Sequence, residues 1–446
     1  MRTTVVTVVA LLMLATTSFA QELSDIDRRL RALEEKVGKI QQPAPDVAEL
    51  QRQIEILTRE IEGLKSSEHK AVAEADTQQY GLGAAASKVY RADAGVSFGG
   101  YGEFLYQNFA PSGALARQNA PKDSADLLRA VVYTGYKFNK SVLFNSELEV
   151  EHASTESGGA VSMEFAYLDY LLRPQANIRA GVILLPMGLI NEQHEPTAYL
   201  GARRPEVETK IIPATWSELG AGLFGDVGPL TYRAYVVTGL NSAHIDAVDG
   251  IRESRQAGGQ AVAEDFAVVG RTDWHPFEGT LFGGSLYSGD SGQSADLTSG
   301  RRLRGRVTLG EVHFDTKLRG ASFRGLWARG TVGDAARINE ANGLTGSQSV
   351  GSSFGGWYLE GGYELGSLAG RRELSIAPYL RYERLDTQRT VPLGFERDPA
   401  NDQSLFTLGL AVKPIPQTVL KIDWQKRTNR LRTGVNQYNV ALGYIF

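Results

Sequence analysis

Apolar and polar residues alternate with a period of two through sixteen segments that run from residue 95 to the end of the chain. The segments lie near 96–107, 127–138, 141–151, 163–173, 178–185, 216–225, 230–240, 264–275, 280–288, 304–315, 318–330, 355–365, 373–385, 404–413, 418–428 and 436–446. Such alternation marks β-strands with two different faces. Short turns at 139–140, 174–177, 226–229, 276–279, 316–317, 366–372 and 414–417 alternate with longer polar loops. A soluble sandwich has no reason to keep its long loops on every second connection, whereas a transmembrane barrel has short turns at one end and long loops at the other. Segments of roughly 10 residues suit tilted strands that cross a bilayer. In lipid every backbone N–H and C=O must be paired internally, so the sheet must close. The expected fold is all-β, a 16-stranded antiparallel transmembrane β-barrel over 95–446.

Individual strands separate the two faces. Leu420, Ile422 and Trp424 alternate with Lys421, Asp423 and Gln425, and Val142, Phe144, Leu148 and Val150 lie opposite Asn145, Glu147, Glu149 and Glu151. Aromatic residues near strand ends, including Tyr101, Phe138, Trp274, Trp357 and Tyr363, suit the interfacial girdles of such a barrel. The last strand carries Tyr438, Val440, Leu442, Tyr444 and Phe446 at every second position and stops there. This ending resembles the carboxy-terminal signal read by the outer-membrane barrel assembly machinery.

Ahead of the β region the pattern is different. Arg2, an apolar stretch over 5–15 and small residues before Gln21 read as a secretory signal peptide, residues 1–20. Leu23, Ile26, Leu30, Leu33, Val37 and Ile40 form one heptad seam, and Val47, Leu50, Ile54, Leu57, Ile61 and Leu64 form a second, broken apart at Pro43 and Pro45. Residues 21–65 therefore read as a short periplasmic α-helical coiled coil, either oligomeric or folded back as a hairpin, with the strand number open. Residues 66–94 are polar and Ala-rich and read as a linker or tether. The 446-residue chain has 47 basic and 51 acidic residues, and 47 − 51 = −4 gives no electrostatic case for a nucleic-acid partner. Cysteine is absent, which removes disulfides, thiolate chemistry and cysteine-held metal.

The stretch AGVILLPMGLINEQHEPTAYLGARRPEVETKIIPATWSELGAGLFG, 180–225, resembles the strand, third loop and strand of Gram-negative porins in the phosphate-selective porin O and P superfamily. GGYGEFLY in the first strand and the Phe446 ending extend the likeness over about 91–446. The resemblance implies a sixteen-stranded, usually trimeric channel. The heptads are similar to those of coiled-coil-bearing trimeric porins that pass dicarboxylates, which would set the oligomer at three. Phosphate-selective members are distinguished by a ladder of basic pore residues, and here the pattern departs. The expected lumen face offers Arg129, Lys137, Arg179, Arg233, Arg271, Arg381 and Lys421, matched by Glu147, Glu149, Glu151, Asp169, Asp273, Glu383 and Asp423. Equal numbers of each sign do not carry the phosphate preference over.

The longest segment without strand character is 186–215, and it holds Glu192, His194, Glu195, Arg203, Arg204, Glu206, Glu208 and Lys210. In a porin of this kind the third loop folds inward, so these side chains would form the constriction, with Arg203 and Arg204 opposing Glu206 and Glu208 across a transverse field; a loop that shields the mouth or packs at a subunit contact is the alternative. Arg302, Arg304 and Arg306, at alternate positions at one end of the tenth strand, suit lipopolysaccharide phosphates, a pore mouth or a solvated rim. Gly220, Gly222 and Gly225 spell a dinucleotide motif within a strand, with no helix after it, and His194-Glu195 lacks the second histidine of a zinc helix. No catalytic, cofactor or metal site is expected. The function expected is passive diffusion of small hydrophilic solutes or ions, in an outer membrane that provides lipid and lipopolysaccharide as partners, with a structural or adhesive anchor and a barrel enzyme as alternatives.

Overall fold

A computed structural model describes residues 79–446 apart from 119, 154–157, 296–301 and 367–373, so the expected signal peptide and coiled coil lie outside the described residues. The strands are β1 (Gly95–Pro111), β2 (Ser124–Lys137), β3 (Val142–Glu151), β4 (Ala160–Arg173), β5 (Ala176–Leu184), β6 (Ser217–Val227), β7 (Leu230–Thr238) and β8 (Phe266–Trp274), followed by β9 (Thr280–Gly289), β10 (Val307–Leu318), β11 (Ala321–Val332), β12 (Ser353–Tyr363), β13 (Ser375–Thr390), β14 (Asp402–Lys413), β15 (Thr418–Asn429) and β16 (Val435–Ile445). Each pairs antiparallel with its sequence neighbours, and β1 pairs with β16 to close the barrel. Closure matters energetically, because an open edge would leave a row of unpaired N–H and C=O groups. All sixteen expected segments are strands.

The chain end completes the seam. Phe446 N–H donates to the Gly100 carbonyl at 2.9 Å, and Gly100 N–H donates back to the Phe446 carbonyl at 3.0 Å. A Cβ at Gly100 would lie 2.8 Å from the Phe446 ring and one at Gly102 would lie 2.6 Å from the Tyr444 ring, so two glycines make the notch that receives the terminal aromatics.

Large apolar side chains stand exposed around the outside, among them Val268, Leu286, Val312, Trp327, Leu359, Leu408 and Ile422. A contiguous belt of this kind is not tolerated in water and suits hydrocarbon. Phe138, Trp274 and Tyr363 are exposed as girdle residues would be, but Tyr101 corrects the expectation: it is 1% exposed and faces inward, its ring 6.0 Å from that of His194. Glu103 shares that inner face, and the alternation continues with Phe104 and Tyr106 outside and Leu105 inside; the register shift beside Glu103 adds Leu128 to the β2 strand.

The interior differs from an empty lumen. The 185–216 connection (L3) and the 239–265 connection (L4) carry buried residues such as Met187, Ile190, Ile211, Ile245 and Ile251, in one cluster with inward residues of the wall. Residues 79–91, part of the segment expected to be a tether, are also largely buried, with Leu82 and Val89 each 1% exposed and a short helix α1 (Lys88–Arg91). Spaced apolar residues of this segment pack on the barrel wall, which a reading of local composition did not detect.

Candidate functional site

The expected lumen residues lie on the inner face, and most of them are buried against partners. Arg179 Nε meets Asp169 Oδ1 at 2.9 Å. Arg233 bridges Glu192 of L3 at 2.8 Å and Asp273 at 2.5 Å, and Arg271 Nε reaches the same Asp273 carboxylate at 2.8 Å. His313 continues the chain to Glu311 at 2.8 Å. Arg381 joins Glu383 at 2.9 Å and Glu360 at 3.1 Å. Buried charges persist only when paired, so the balance of signs in the sequence reflects a pairing requirement. Lys421 is 1% exposed with Nζ 3.6 Å from the centre of the Tyr199 ring, a cation–π contact to L3. Lys137 Nζ donates to the Tyr90 carbonyl at 3.0 Å.

L3 is fastened at its neck and along its length. Asn191 Nδ2 donates to the Leu185 and Trp216 carbonyls at 2.7 and 2.9 Å while its Oδ1 accepts from Trp216 N–H at 2.7 Å, which cross-links the two ends of the loop. Glu208 Oε2 accepts from Leu189 and Ile190 N–H, both at 2.7 Å, and its Oε1 accepts from Tyr358 Oη at 2.5 Å. Burial pushes the Glu208 carboxyl up, and the Tyr358 hydroxyl and Ile190 N–H pull it back. Gly188, at φ +71°, is required beside it, since a Cβ there would lie 2.5 Å from Glu208 Oε2. Further along, Tyr199 Oη donates to Glu103 and Ala202 N–H donates to Asp423, each at 2.8 Å.

Five of the eight expected L3 residues are buried and engaged. Besides Glu192 and Glu208, His194 Nδ1 lies 2.8 Å from the Asn191 carbonyl and Nε2 lies 3.0 Å from Glu147, and burial, with the Arg204 charge next, lowers the imidazole to about 4. Glu195 Oε1 accepts from Ala85 and Ala86 N–H at 2.9 and 3.1 Å, with burial pushing its carboxyl up. Glu206 Oε1 is held by Arg427 at 2.6 Å and Arg203 at 3.2 Å; burial works against its charge, yet Arg427 and then Arg203 hold the carboxyl well below the usual range. Glu206 and Glu208 are therefore corrected as the acidic side of a transverse field: one is neutralised by two guanidinium groups and the other supports backbone.

Arg203, Arg204 and Lys210 remain partly exposed. Beside them L4 brings Arg252, whose Nη1 donates to the Thr209 carbonyl at 3.1 Å, and Arg255, whose Nη1 donates to the Ala214 carbonyl at 2.8 Å. Burial lowers Arg252, with Arg204 adding repulsion, and burial followed by the Arg252 charge lowers Arg255 to about 10. The acidic groups that act on these two from the wall are Glu151 on Arg252 and Glu164 and Glu218 on Arg255. Sequence reading missed both arginines, because nothing local in L4 announces that it folds against L3. It missed Glu164 because a register shift in the β3–β4 pairing between Glu147 and Leu148 reverses the inside–outside parity of β4.

At the short-turn end a cavity of about 690 Å³ opens between residues 79–81, L3 around Glu192 and Gln193, and the wall at Arg233 and Asp273. Arg304 and Arg306 both pair with Asp290, at 3.0 and 2.7 Å, and Arg302 pairs with Asp265 at 2.7 Å, all three arginines well exposed. Gly220, Gly222 and Gly225 lie in β6, which turns directly into β7. No group of three metal-ligating side chains suited to an ion occurs among the described residues.

No family model matches the chain. It is 36% identical over 378 residues to an uncharacterised protein of Aquifex aeolicus, a match that covers 82% of this chain and 83% of that protein. Among solved structures it is similar to a loop-L8 deletion mutant of OmpT, an outer membrane protein of Vibrio cholerae, with a TM-score of 0.50 and 10% identity over 80% of this chain and 100% of that one. That likeness is one of fold.

Proposed function

This chain belongs to the same family as the Aquifex aeolicus protein, and we propose that it is an outer-membrane porin through which small hydrophilic solutes diffuse down their gradients. One observation carries the reading: a closed barrel with an apolar exterior encloses a charged interior into which its longest connection turns. Lipid solvates the outside, long loops face the external medium and short turns face the periplasm. The field at the constriction runs between Arg204, Arg252 and Arg255 of L3 and L4 and the wall carboxylates Glu149, Glu151 and Glu164. Weak binding there is required, because tight binding would stop flux. The assembled form is a homotrimer, with residues 21–65 as a periplasmic coiled coil, Phe446 read by the assembly machinery and Arg302, Arg304 and Arg306 facing lipopolysaccharide phosphates. The sequence resemblance to phosphate-selective porins supports the superfamily and not the solute.

Liposome swelling tests the function. Vesicles that contain purified protein should swell in small sugars and amino acids at rates that fall with solute size, whereas rates equal to those of empty vesicles would reject it. A second reading, a barrel that serves only as an anchor for an envelope tether, draws on the filled interior, with L3 and residues 79–91 both packed inside. The same assay separates the two. Deletion of residues 21–65 should lower trimer yield on native gels while the barrel still inserts; an unchanged yield would remove the coiled coil from assembly.

A further inference from the structure

Residues 79–91 enter the barrel at its short-turn end and are held by groups from both the wall and L3. Tyr90 Oη donates to Asp169 at 2.6 Å and accepts from Arg179 at 2.8 Å, so the phenol completes the best-paired ion pair of β4 and β5. Asn145 Nδ2 donates to the Ala86 carbonyl at 3.0 Å. From the other side, the Glu195 carboxylate of L3 receives the N–H groups of Ala85 and Ala86. Ser87 Oγ donates to the Gly83 carbonyl at 2.7 Å and rigidifies the segment itself.

The wall is shaped to the segment. A Cβ at Gly135 of β2 would lie 2.6 Å from the Val89 Cβ, and one at Gly99 of β1 would lie 3.3 Å from the Ala85 carbonyl oxygen. Glycine in a strand interior weakens it, and one use that offsets the cost is the close approach of another backbone. Five inward groups of β2 to β5 and L3 are thus committed to a stretch of chain that precedes the first strand. The space left open at this end lies on the opposite side, in the 690 Å³ cavity bordered by Tyr80 and Gly81 of the same segment and by Arg233 and Asp273 of the wall.

We propose that residues 79–91 are a resident inner wall of the conduction path, one that seals the β1–β5 side of the periplasmic exit and confines solutes to the cavity beside Glu192, Arg233 and Asp273. This rests on the porin reading. The segment stays in place while the channel conducts, and it sets the periplasmic size limit as L3 and L4 set the external one. Two features make it a wall: its central polar contacts, at Ala85, Ala86 and Tyr90 Oη, are buried, and it joins L3 to the barrel through Glu195.

The chain contains no cysteine, so a single engineered pair gives a clean lock. In Val89→Cys/Gly135→Cys the two Cβ atoms need only separate by about 1 Å to reach disulfide geometry. In planar bilayers the oxidised protein should match wild-type conductance, with reduction changing nothing. A silent oxidised protein that conducts after reduction would overturn the proposal, because the segment would then have to leave for flux. The full chain lacking only residues 79–91 should conduct roughly twofold more or better and pass larger solutes, as a widened exit requires; unchanged conductance and size limit would equally overturn it. Should that deletion fail to fold, Glu195→Ala with Tyr90→Phe loosens the segment and must move conductance the same way. If wild-type protein itself forms no channel, the failure lies with the porin reading.

Discussion

Replacing Glu208 with alanine should undock L3. The carboxylate is the acceptor for three buried donors: Leu189 N–H and Ile190 N–H at 2.7 Å and Tyr358 Oη at 2.5 Å. Each donor left unsatisfied in a buried site costs about 1–3 kcal/mol, so removal of the side chain penalises the docked loop by about 3–9 kcal/mol. The lower end of that range already raises the undocked population roughly a hundredfold. Glu208→Gln keeps an oxygen for the two N–H groups and an amide that donates to the phenol, so it should cost only about 1 kcal/mol. Gly188→Ala reaches the same end by another route, since its Cβ collides with the carboxylate at a position where φ is +71°. Single-channel recordings should show strong open-channel noise and frequent closures for Glu208→Ala and Gly188→Ala and near-wild-type traces for Glu208→Gln. Trypsin added to proteoliposomes should cleave the first two after Lys210. A Glu208→Ala protein that is as quiet and as protease-resistant as wild type would refute the view that this carboxylate holds the loop.

Neutralising Arg204→Gln and Arg252→Gln together should shift the reversal potential in a salt gradient towards cations, and no shift would exclude these two as the basic side of the field. Acidification should loosen L3 at His194. Its folded value of about 4 lies below the ordinary 6.5, so between those pH values the undocked loop binds a proton that the docked loop does not, and stability falls with pH by about 2 kcal/mol at pH 5. Amide protection factors over 191–200, taken relative to the intrinsic exchange rate at each pH, should fall on acidification in wild type and lose that dependence in His194→Gln; a flat wild-type profile would contradict the assignment. Asn191→Leu, which removes the cross-link at the neck of L3, should increase channel noise with little effect on barrel melting, and loss of the barrel itself would show the residue to be part of the wall. Phe446→Ala should lower the yield of inserted barrel while leaving the conductance of the inserted fraction unchanged.

The barrel was legible because its information is local and repeated. Period two in each strand states which residues share a face, and the parity of loop lengths states that the strands form one closed up-and-down sheet. Legibility ended where parity breaks, as at Glu164 of β4 and Leu128 of β2, since a bulge inserts one residue without a signature that alternation can register. Tyr101 illustrates the same limit from another direction: an aromatic residue near a strand end suits a girdle or a packed interior, and only the neighbours across the barrel decide. The length and charge of 186–215 marked it as the long irregular connection, but the division of labour within it did not follow from them. Glu206, Glu208 and Arg203 look alike on paper. Their roles depend on Arg427, Tyr358 and the backbone of Leu189 and Ile190, partners between 18 and 221 residues away in sequence. Residues 79–91 carry no periodicity at all, because their fold is dictated by the cavity they occupy.

Current across a planar bilayer tests the central claim most directly. Purified wild-type protein added at low concentration should produce discrete, ohmic conductance steps, grouped in threes if the trimer forms. A protein that partitions into the bilayer and leaves its conductance at the baseline of the lipid alone would contradict the account.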